Sequence, residues 1–469
     1  MKNGKRSSFS GKLGYVLAAA GASVGLGNIW RFPYLAAKYG GGIFLIIYIV
    51  LALTFGYTMI VAETAIGRMT RKSPVGAFKS FGKKKWLSFG GWINAVIPVL
   101  IVPYYSVIGG WVIKYLVEYF RGNAKLLAED GYFTDFISNG VSTELCFVAF
   151  CAFTLIIIFA GVQNGIERVS KIMMPILIVL SVIIAVYSVT RPGALAGVKY
   201  FLVPNVKNFS WMTVVSAMGQ MFYSLSIAMG ILITFGSYMK KDTAIEDSTR
   251  NVEVFDTGIA IMAGLMIIPA VFAFSGGDPD TLQAGPSLMF ITIPKVFQNM
   301  GFGTVIGIVF FLLVLFAAVT SSIALTESAV STFEDELGWG RKKATVLVGV
   351  IMLALGSLSS LGYGPLAGIK IIGMQFLDLF DFLTNSVMMP IAALLTSLLV
   401  SRVVGIDKIE DEIIHGESAF RRKKVFVVMI KYLCPVFAII ILLSSVANAL
   451  GWIKTVSYTH LRAHETRSN

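Results

Sequence analysis

The stretch from residue 21 to residue 33, GASVGLGNIWRFP, constrains the chain most, because it interrupts the first long apolar segment. It contains Gly21, Gly25 and Gly27, followed by the polar Asn28 and an Arg-Phe-Pro sequence. Together these residues predict a break in a membrane-crossing helix. Backbone groups freed inside hydrocarbon are tolerated only where protein or a water-filled cavity satisfies them. We therefore interpret the stretch as a binding site. The alternative is a glycine-lined packing seam, which requires neither the asparagine nor the Arg-Phe-Pro sequence.

Apolar segments long enough to cross a bilayer recur along nearly the whole chain. The 469 residues are 56% hydrophobic and 14% charged, whereas soluble domains carry roughly 25% charged residues. A crossing helix needs about 20 apolar residues, so the chain is predicted to be an all-α polytopic membrane protein packed as one bundle. Eleven transmembrane spans are predicted, at approximately 11–37, 42–68, 90–118, 144–161, 167–189, 212–238, 252–274, 302–333, 344–361, 369–400 and 425–452.

Lysine and arginine are concentrated in alternate loops, within a net charge of +13. Cytoplasmic loops of membrane proteins carry such an excess, so the N-terminus is predicted to be cytoplasmic and the chain to lie in the cell (inner) membrane. These cations flank the spans and do not form one stripe, so the predicted partner is the lipid bilayer and not nucleic acid. The inner cations are Lys2, Lys5, Arg6, Lys12, Arg68, Arg71, Lys72, Lys79, Lys83 to Lys85, Lys240, Lys241, Arg250, Arg341 to Lys343 and Arg421 to Lys424.

An internal symmetry relates span 1 to span 6, which is interrupted by Ser224, Ser226 and Gly230. If spans 1 to 5 and 6 to 10 are two halves, the breaks fall at corresponding positions, and because five is odd the second half is inverted. Paired broken helices in inverted halves point to a transport site at the membrane midplane. The predicted parts are an arm (1–10), a first repeat (11–189), an extracellular segment (190–211), a second repeat (212–402), a loop with span 11 (403–455) and a tail of non-native sequence (456–469).

Five motifs inside the spans carry a family resemblance: GLGNIWRFP (25–33), GGIFLIIY (41–48), PYY (103–105), GQMFYSLS (219–226) and TSSIAL (320–325). Over about residues 6–452 the chain resembles the neurotransmitter:sodium symporter family, which includes bacterial leucine and tryptophan transporters. The resemblance implies a 5+5 inverted-repeat bundle with broken helices 1 and 6, in which alternating access moves a substrate together with sodium.

The resemblance implies two sodium sites. Sodium prefers oxygen ligands, and an unwound helix supplies carbonyl oxygens without adding charge. Two alternatives remain open: the hydroxyls of Thr320 and Ser321 could bond back to their own helix, and Asp256 could be a span-end charge in cytoplasmic water. The implied ligands are Gly21, Val24, Ala317, Thr320 and Ser321 in site A, and Ser23, Asn28, Ser224, Asp256 and the substrate carboxylate in site B.

The resemblance also implies how a free amino acid is bound. The amides of Leu26 and Gly27, at the electropositive start of a half-helix, would meet the carboxylate, together with the hydroxyl of Tyr105. The ammonium would meet the carbonyls of Ser23, Tyr223 and Ser224 and the hydroxyl of Ser226.

The implied side-chain pocket contains no acid or base, so it favours a neutral, apolar amino acid. Tyr223 replaces the usual phenylalanine of the outer lid, which leaves aromatic and branched substrates open. Met229 is flexible and adapts to different side-chain volumes. Ala228 replaces a glycine of relatives, so we expect it to limit the unwinding of span 6. The pocket residues are Ile101, Tyr105, Tyr223, Ser226, Met229, Ser321 and Leu325.

Asp256 stands where several relatives carry asparagine, and Ala260 stands where some carry glutamate or a chloride-binding serine. In animal relatives the chloride shell would include the positions of Tyr48 and Gln220. A fixed carboxylate beside sodium could supply the negative charge that chloride provides there. We therefore expect two sodium ions and no chloride requirement.

Two ion pairs are expected to act as gates. Arg31 with Asp381 would close the outer side, and Arg6 with Asp335 the inner side. Breaking one pair while making the other would move access across the membrane. The alternative is that each charge simply lies in water near the end of a span.

The sequence predicts a transporter and not an enzyme, because the spans contain no Ser-His pair, nucleotide loop or metal cluster. The predicted function is sodium-coupled import of neutral, hydrophobic or aromatic L-amino acids. An amino-acid-sensing membrane receptor of the same fold is the alternative, but it should carry a signalling domain. An ion channel would need rings of repeated ligands from several subunits. The sequence indicates no oligomeric state.

Overall fold

A computed structural model describes residues 6–276 and 285–449. Within these two ranges, nine unbroken helices are long and apolar enough to cross a membrane, and so is one pair bent at a short break. The predicted tail (456–469) and the end of span 11 lie outside the described residues. The principal helices are α1 (Lys12–Ser23), α2 (Gly27–Lys38), α3 (Gly42–Thr70), α4 (Lys85–Phe120), α5 (Gly140–Phe159), α6 (Val162–Val189), α7 (Trp211–Ser224), α8 (Ile231–Tyr238), α9 (Ile245–Ser275), α10 (Gly303–Leu337), α11 (Arg341–Leu361), α12 (Phe376–Val404) and α13 (Lys423–Ala447).

The first predicted span is broken where the glycines predict it. Helices α1 and α2 meet at an angle of 53°. The helix α1 ends because Val24 adopts an extended conformation, with φ −75° and ψ 94°. The first turn of α2, Gly27–Arg31, is a π-helix. The backbone between α1 and α2 therefore lies outside the regular helical hydrogen-bond pattern, in the middle of the bundle.

The sixth predicted span is also broken, between α7 and α8. Helix α7 starts at a capping box, in which the side chains of Ser210 and Thr213 satisfy each other's backbone amides. Residues 225–230 then leave the helix, and Ser226, Ala228 and Gly230 have φ values of 52°, 59° and 71°. Left-handed backbone costs roughly 1–2 kcal/mol for a residue with a Cβ. Ala228 lies inside the unwound segment, and the expectation that it limits how far span 6 unwinds stays a prediction.

The two broken pairs are surrounded by the long helices. Helix α1 packs against α9, α10 and α6, and α8 packs against α3. Helix α9 begins at Ile245, before the predicted start at residue 252. Its first turn carries the acidic Glu246 and Asp247, which favour a helix N-terminus although they lower the hydropathy by which a span is recognised. The predicted all-α fold with broken helices 1 and 6 is confirmed for the described residues.

Candidate substrate and ion site

A cavity lies between the two breaks and helices α4 and α10. Its empty volume, counting the solvent at its opening, is about 360 Å³. All seven predicted pocket residues line it, together with residues of the first break. The lining is Ala22, Ser23, Gly25, Leu26, Gly27, Asn28, Ile101, Tyr105, Tyr223, Ser226, Met229, Ser321 and Leu325.

The glycines of the first break allow side chains of other helices to approach the backbone. A Cβ on Gly25 would lie 2.6 Å from Ser321 Oγ, and a Cβ on Gly27 would lie 2.3 Å from Tyr223 Cδ1. Gly21 packs more conventionally, since its Cβ would lie 3.1 Å from Cβ of Thr320. Gly21 therefore fits the alternative of a glycine-lined packing seam, whereas Gly25 and Gly27 face the cavity.

Hydrogen-bond donors and acceptors meet at the cavity from different elements. The hydroxyl of Tyr105 accepts a hydrogen bond from the Leu26 amide at 3.3 Å. The hydroxyl of Ser226 donates to the carbonyl of Ala22 at 2.9 Å. Freed amides can bind a carboxylate and freed carbonyls can bind an ammonium, so the cavity has complementary groups for a zwitterion.

The oxygens predicted for sodium site A lie close together. The hydroxyl of Ser321 is 3.2 Å from the carbonyl oxygen of Gly21 and 3.3 Å from that of Val24. Thr320 directs its hydroxyl back to its own helix, including the carbonyl of Ala317 at 3.2 Å. These five groups are neutral oxygens of the kind that suits a hard cation.

The residues predicted for sodium site B surround Asp256. Its side chain is fully buried, so the alternative of a span-end charge in water is wrong. Asn28 Nδ2 and the hydroxyl of Ser224 each donate to Asp256 Oδ1 at 2.8 Å, and the hydroxyl of Tyr48 donates to Oδ2 at 2.9 Å. Asn28 Oδ1 accepts from the Gly25 amide at 3.2 Å. The carboxylate is thus connected to the first break through Asn28.

The predicted outer gate residue Arg31 lies over Tyr223, which lines the cavity. The guanidinium carbon of Arg31 is 4.9 Å from the centroid of the Tyr223 ring, a cation–π geometry. The charge of Arg31 acts on Asp381, but among the described residues these two do not form the direct ion pair that the sequence predicts. The Asp381 carboxylate accepts hydrogen bonds from Asn385 and Tyr104.

The predicted inner gate residues form a direct ion pair. Arg6 Nη1 lies 2.5 Å from Asp335 Oδ1, and the other guanidinium nitrogens donate to Ser237 and Ser331. Asp335 Oδ2 also accepts from the backbone amide of Ser73 at 2.7 Å. The pair therefore ties the N-terminal arm to α10 and to the loop after α3.

Substituting Asp335 by alanine should open the inner side. The loss of a charged hydrogen-bond acceptor is expected to raise the reactivity of a deeper cysteine, introduced as Ser328→Cys, by about tenfold. The measurement is thiol labelling in a chain whose Cys146, Cys151 and Cys434 are replaced by alanine.

The matched control for this substitution is Glu336→Ala, because Glu336 pairs with the exposed Lys79 and exposed pairs contribute little. Unchanged labelling in Asp335→Ala would contradict the inner gate.

Sequence reasoning missed Glu63, which lies in α3 and is fully buried. Its Oε1 accepts a hydrogen bond from the amide of Ala228 at 2.7 Å, and so stabilises the second break. An ionisable residue inside a span is the signal that could have found it. Gln220 Nε2 likewise donates to the freed carbonyl of Gly27 at 3.0 Å.

Among the predicted substrate residues, Ser224 is not in the cavity lining and contacts Asp256 instead.

Two interrupted helices in inverted halves, with a small cavity and neutral oxygens between them, define a secondary transporter. The chain belongs to the sodium:neurotransmitter symporter family, whose family model matches residues 6–127 and 118–462. It is therefore a multi-pass membrane transporter that uses sodium, and it is not an enzyme.

Several known proteins are similar over most of the chain. The sodium-dependent transporter YhdH of Bacillus subtilis is 34% identical, over 95% of this chain and 98% of its own length. The human sodium- and chloride-dependent GABA transporter 2 is 26% identical, over 87% of this chain and 75% of its own length. Among solved structures, MhsT in complex with L-phenylalanine superposes with a TM-score of 0.84 at 34% identity, covering 94% of this chain and 100% of that chain.

Proposed function

We propose that the chain imports neutral, hydrophobic or aromatic L-amino acids with sodium, by alternating access around the cavity. The observation that carries this proposal is that, among the described residues, none that lines the cavity has a charged side chain. A zwitterion can be neutralised there by freed amides and carbonyls, whereas a cationic or anionic side chain would stay unpaired. The complex of the related MhsT with L-phenylalanine supports an aromatic substrate.

We assign two sodium ions to the site. Site A is formed by the oxygens around Ser321 and site B by the residues around Asp256, as the resemblance implies. In site B the substrate carboxylate completes the ligand set, so that ion and amino acid stabilise each other's binding. This shared ligand couples the transport of the amino acid to the sodium gradient.

The direction of transport, into the cell, is inferred from the orientation of the chain in the membrane. The lysines and arginines of alternate loops support a cytoplasmic N-terminus in the cell (inner) membrane. With that orientation the ion pair of Arg6 and Asp335 closes the cytoplasmic side, and Arg31 and Asp381 close the outer side. The family membership favours transport over the receptor alternative.

Binding to purified protein tests the proposal. We expect one or more neutral amino acids with apolar side chains to bind in sodium and not in potassium, in a screen of the twenty amino acids. Binding that is equal in sodium and potassium, or that prefers lysine or glutamate, would contradict it.

Chloride should not be required for uptake, because the carboxylate of Asp256 lies against the hydroxyls of Tyr48 and Ser224. A neighbouring anion would be repelled by this charge, and the sodium charge is already balanced. We expect sodium-dependent uptake by vesicles to persist when gluconate replaces chloride. Uptake that falls to background in gluconate would refute chloride independence, and replacement of sodium by potassium is the control that abolishes uptake.

A further inference from the structure

The carboxylate of Asp381 is held from two sides. Asn385, one turn later in α12, donates from Nδ2 to Asp381 Oδ1 at 2.5 Å. Tyr104 of α4 donates its hydroxyl to the same oxygen at 3.3 Å. The two donors also contact each other, with Asn385 Nδ2 3.3 Å from the Tyr104 hydroxyl. In the described part of the chain, both of these hydrogen bonds to the Asp381 carboxylate end on Oδ1.

The hydroxyl proton of Tyr104 has a defined direction. The ring is buried, with 1% exposure, so water does not compete for the hydroxyl. Thr384 lies 3.5 Å away, and because its hydroxyl donates to the carbonyl of Phe380 at 2.7 Å, it could only accept from Tyr104, as a neutral acceptor at a long distance. Asp381 is thus the charged acceptor beside the Tyr104 hydroxyl, and charged acceptors form the stronger hydrogen bonds.

We propose that Tyr104 and Asn385 are positioning residues of the outer gate, which fix Oδ1 of Asp381 and leave Oδ2 directed to Arg31. The inference rests on the proposed gating function of Arg31 and Asp381. It adds two residues that touch neither substrate nor ion and act only through Asp381.

The helices that carry these residues divide the gate into two halves. Arg31 and Tyr223 belong to α2 and α7, which are parts of the broken spans. Asp381 and its two donors belong to α4 and α12, which run past the cavity without a break. Closure then brings a cation on a moving element to an anion that is already oriented, which lowers the entropic cost of pairing.

Helix α4 also connects this gate to the cavity. Tyr105, the residue after Tyr104, contacts the Leu26 amide at the start of α2. One turn of α4 therefore directs the Tyr105 hydroxyl to the cavity and the Tyr104 hydroxyl to Asp381. A ligand that displaces the Leu26 contact acts on the same turn that orients Asp381.

The test measures how readily the cavity is reached from outside. Ile101, which lines the cavity, is replaced as Ile101→Cys in a chain whose native cysteines are alanines. A membrane-impermeant thiol reagent is then added to intact cells in sodium medium. We expect Tyr104→Phe and Asn385→Leu each to raise the labelling rate by roughly tenfold, the effect of losing one hydrogen bond to a charged group.

An isosteric variant separates positioning from packing. Tyr104→Phe keeps the ring and removes only the hydroxyl donor, so it should raise labelling about as much as Asn385→Leu. A role in packing alone would make Tyr104→Phe the milder change. The control is Thr396→Val, which alters a buried polar residue of α12 away from the gate and should leave labelling unchanged.

The outcomes distinguish this proposal from the proposed function. Unchanged labelling in Tyr104→Phe and Asn385→Leu, or an effect of Asn385→Leu alone with none in Tyr104→Phe, would overturn the positioning role. The labelling needs no amino acid, so failure of every amino acid to bind in sodium would refute the proposed substrate class and leave this measurement interpretable.

Discussion

Replacing Asp256 with asparagine should abolish sodium-driven uptake in chloride-free medium. Opposite unit charges about 4 Å apart attract by about 4 kcal/mol at an effective dielectric constant near 20. Loss of the carboxylate charge should therefore weaken sodium binding by at least about 100-fold. Sodium-dependent uptake and equilibrium binding of ²²Na⁺ measure the effect.

Chloride should restore part of the activity of Asp256→Asn. The hydroxyls of Tyr48 and Ser224, which donate to the carboxylate in the native chain, become available to a chloride ion. The control is Asp247→Asn, in the first turn of the same helix, where the carboxylate is 38% exposed. Full activity of Asp256→Asn in gluconate would remove Asp256 from the sodium site.

Adding one methyl group at Gly25 should abolish substrate binding while the chain still folds, with a loss of stability of about 1–3 kcal/mol from overpacking. The new Cβ would lie 2.6 Å from Ser321 Oγ and 3.0 Å from the Tyr105 hydroxyl, so it occupies the space in which we expect the substrate carboxylate. We expect Gly25→Ala to weaken binding of labelled L-phenylalanine by at least about 100-fold, because a buried clash and a lost charged hydrogen bond act together.

The matched substitution is Gly258→Ala in α9, where a Cβ would meet nothing within 4 Å. Alanine is the better helix former there, so binding and thermal stability should be retained. Native-like binding by Gly25→Ala would show that the carboxylate lies elsewhere. A collapse of thermal stability in Gly25→Ala alone would assign Gly25 to packing.

The first break could be predicted because its signal is local. Gly21, Gly25, Gly27 and Asn28 lie within a few residues of one another, and no ordinary span has this composition at its centre. The spacing of glycines does not tell which of them packs and which faces a cavity. Only the approach of Ser321 and Tyr223 from other helices distinguishes Gly25 and Gly27 from Gly21.

The second break was harder to predict, because it depends on contacts between distant residues. Ala228 is left-handed although alanine disfavours that conformation. The hydrogen bond from its amide to Glu63, which lies in another helix, helps to compensate. Asn385 was missed for a similar reason, since asparagine in an apolar helix is recognisable but its partner Tyr104 is not. Local composition therefore predicted which spans are broken. Which buried polar residues contact each other at the breaks and at Asp381 depends on tertiary packing, which local composition does not reveal.

The angle of 53° between α1 and α2 also has a mechanical consequence. The twelve residues of α1 form a rod about 18 Å long, joined to α2 at the break. A swing of about 20° at the break would displace its N-terminal tip by roughly 6 Å at that length. A small change of backbone torsions at the break would thereby be amplified at the far end of the helix, where Arg6 of the N-terminal arm pairs with Asp335.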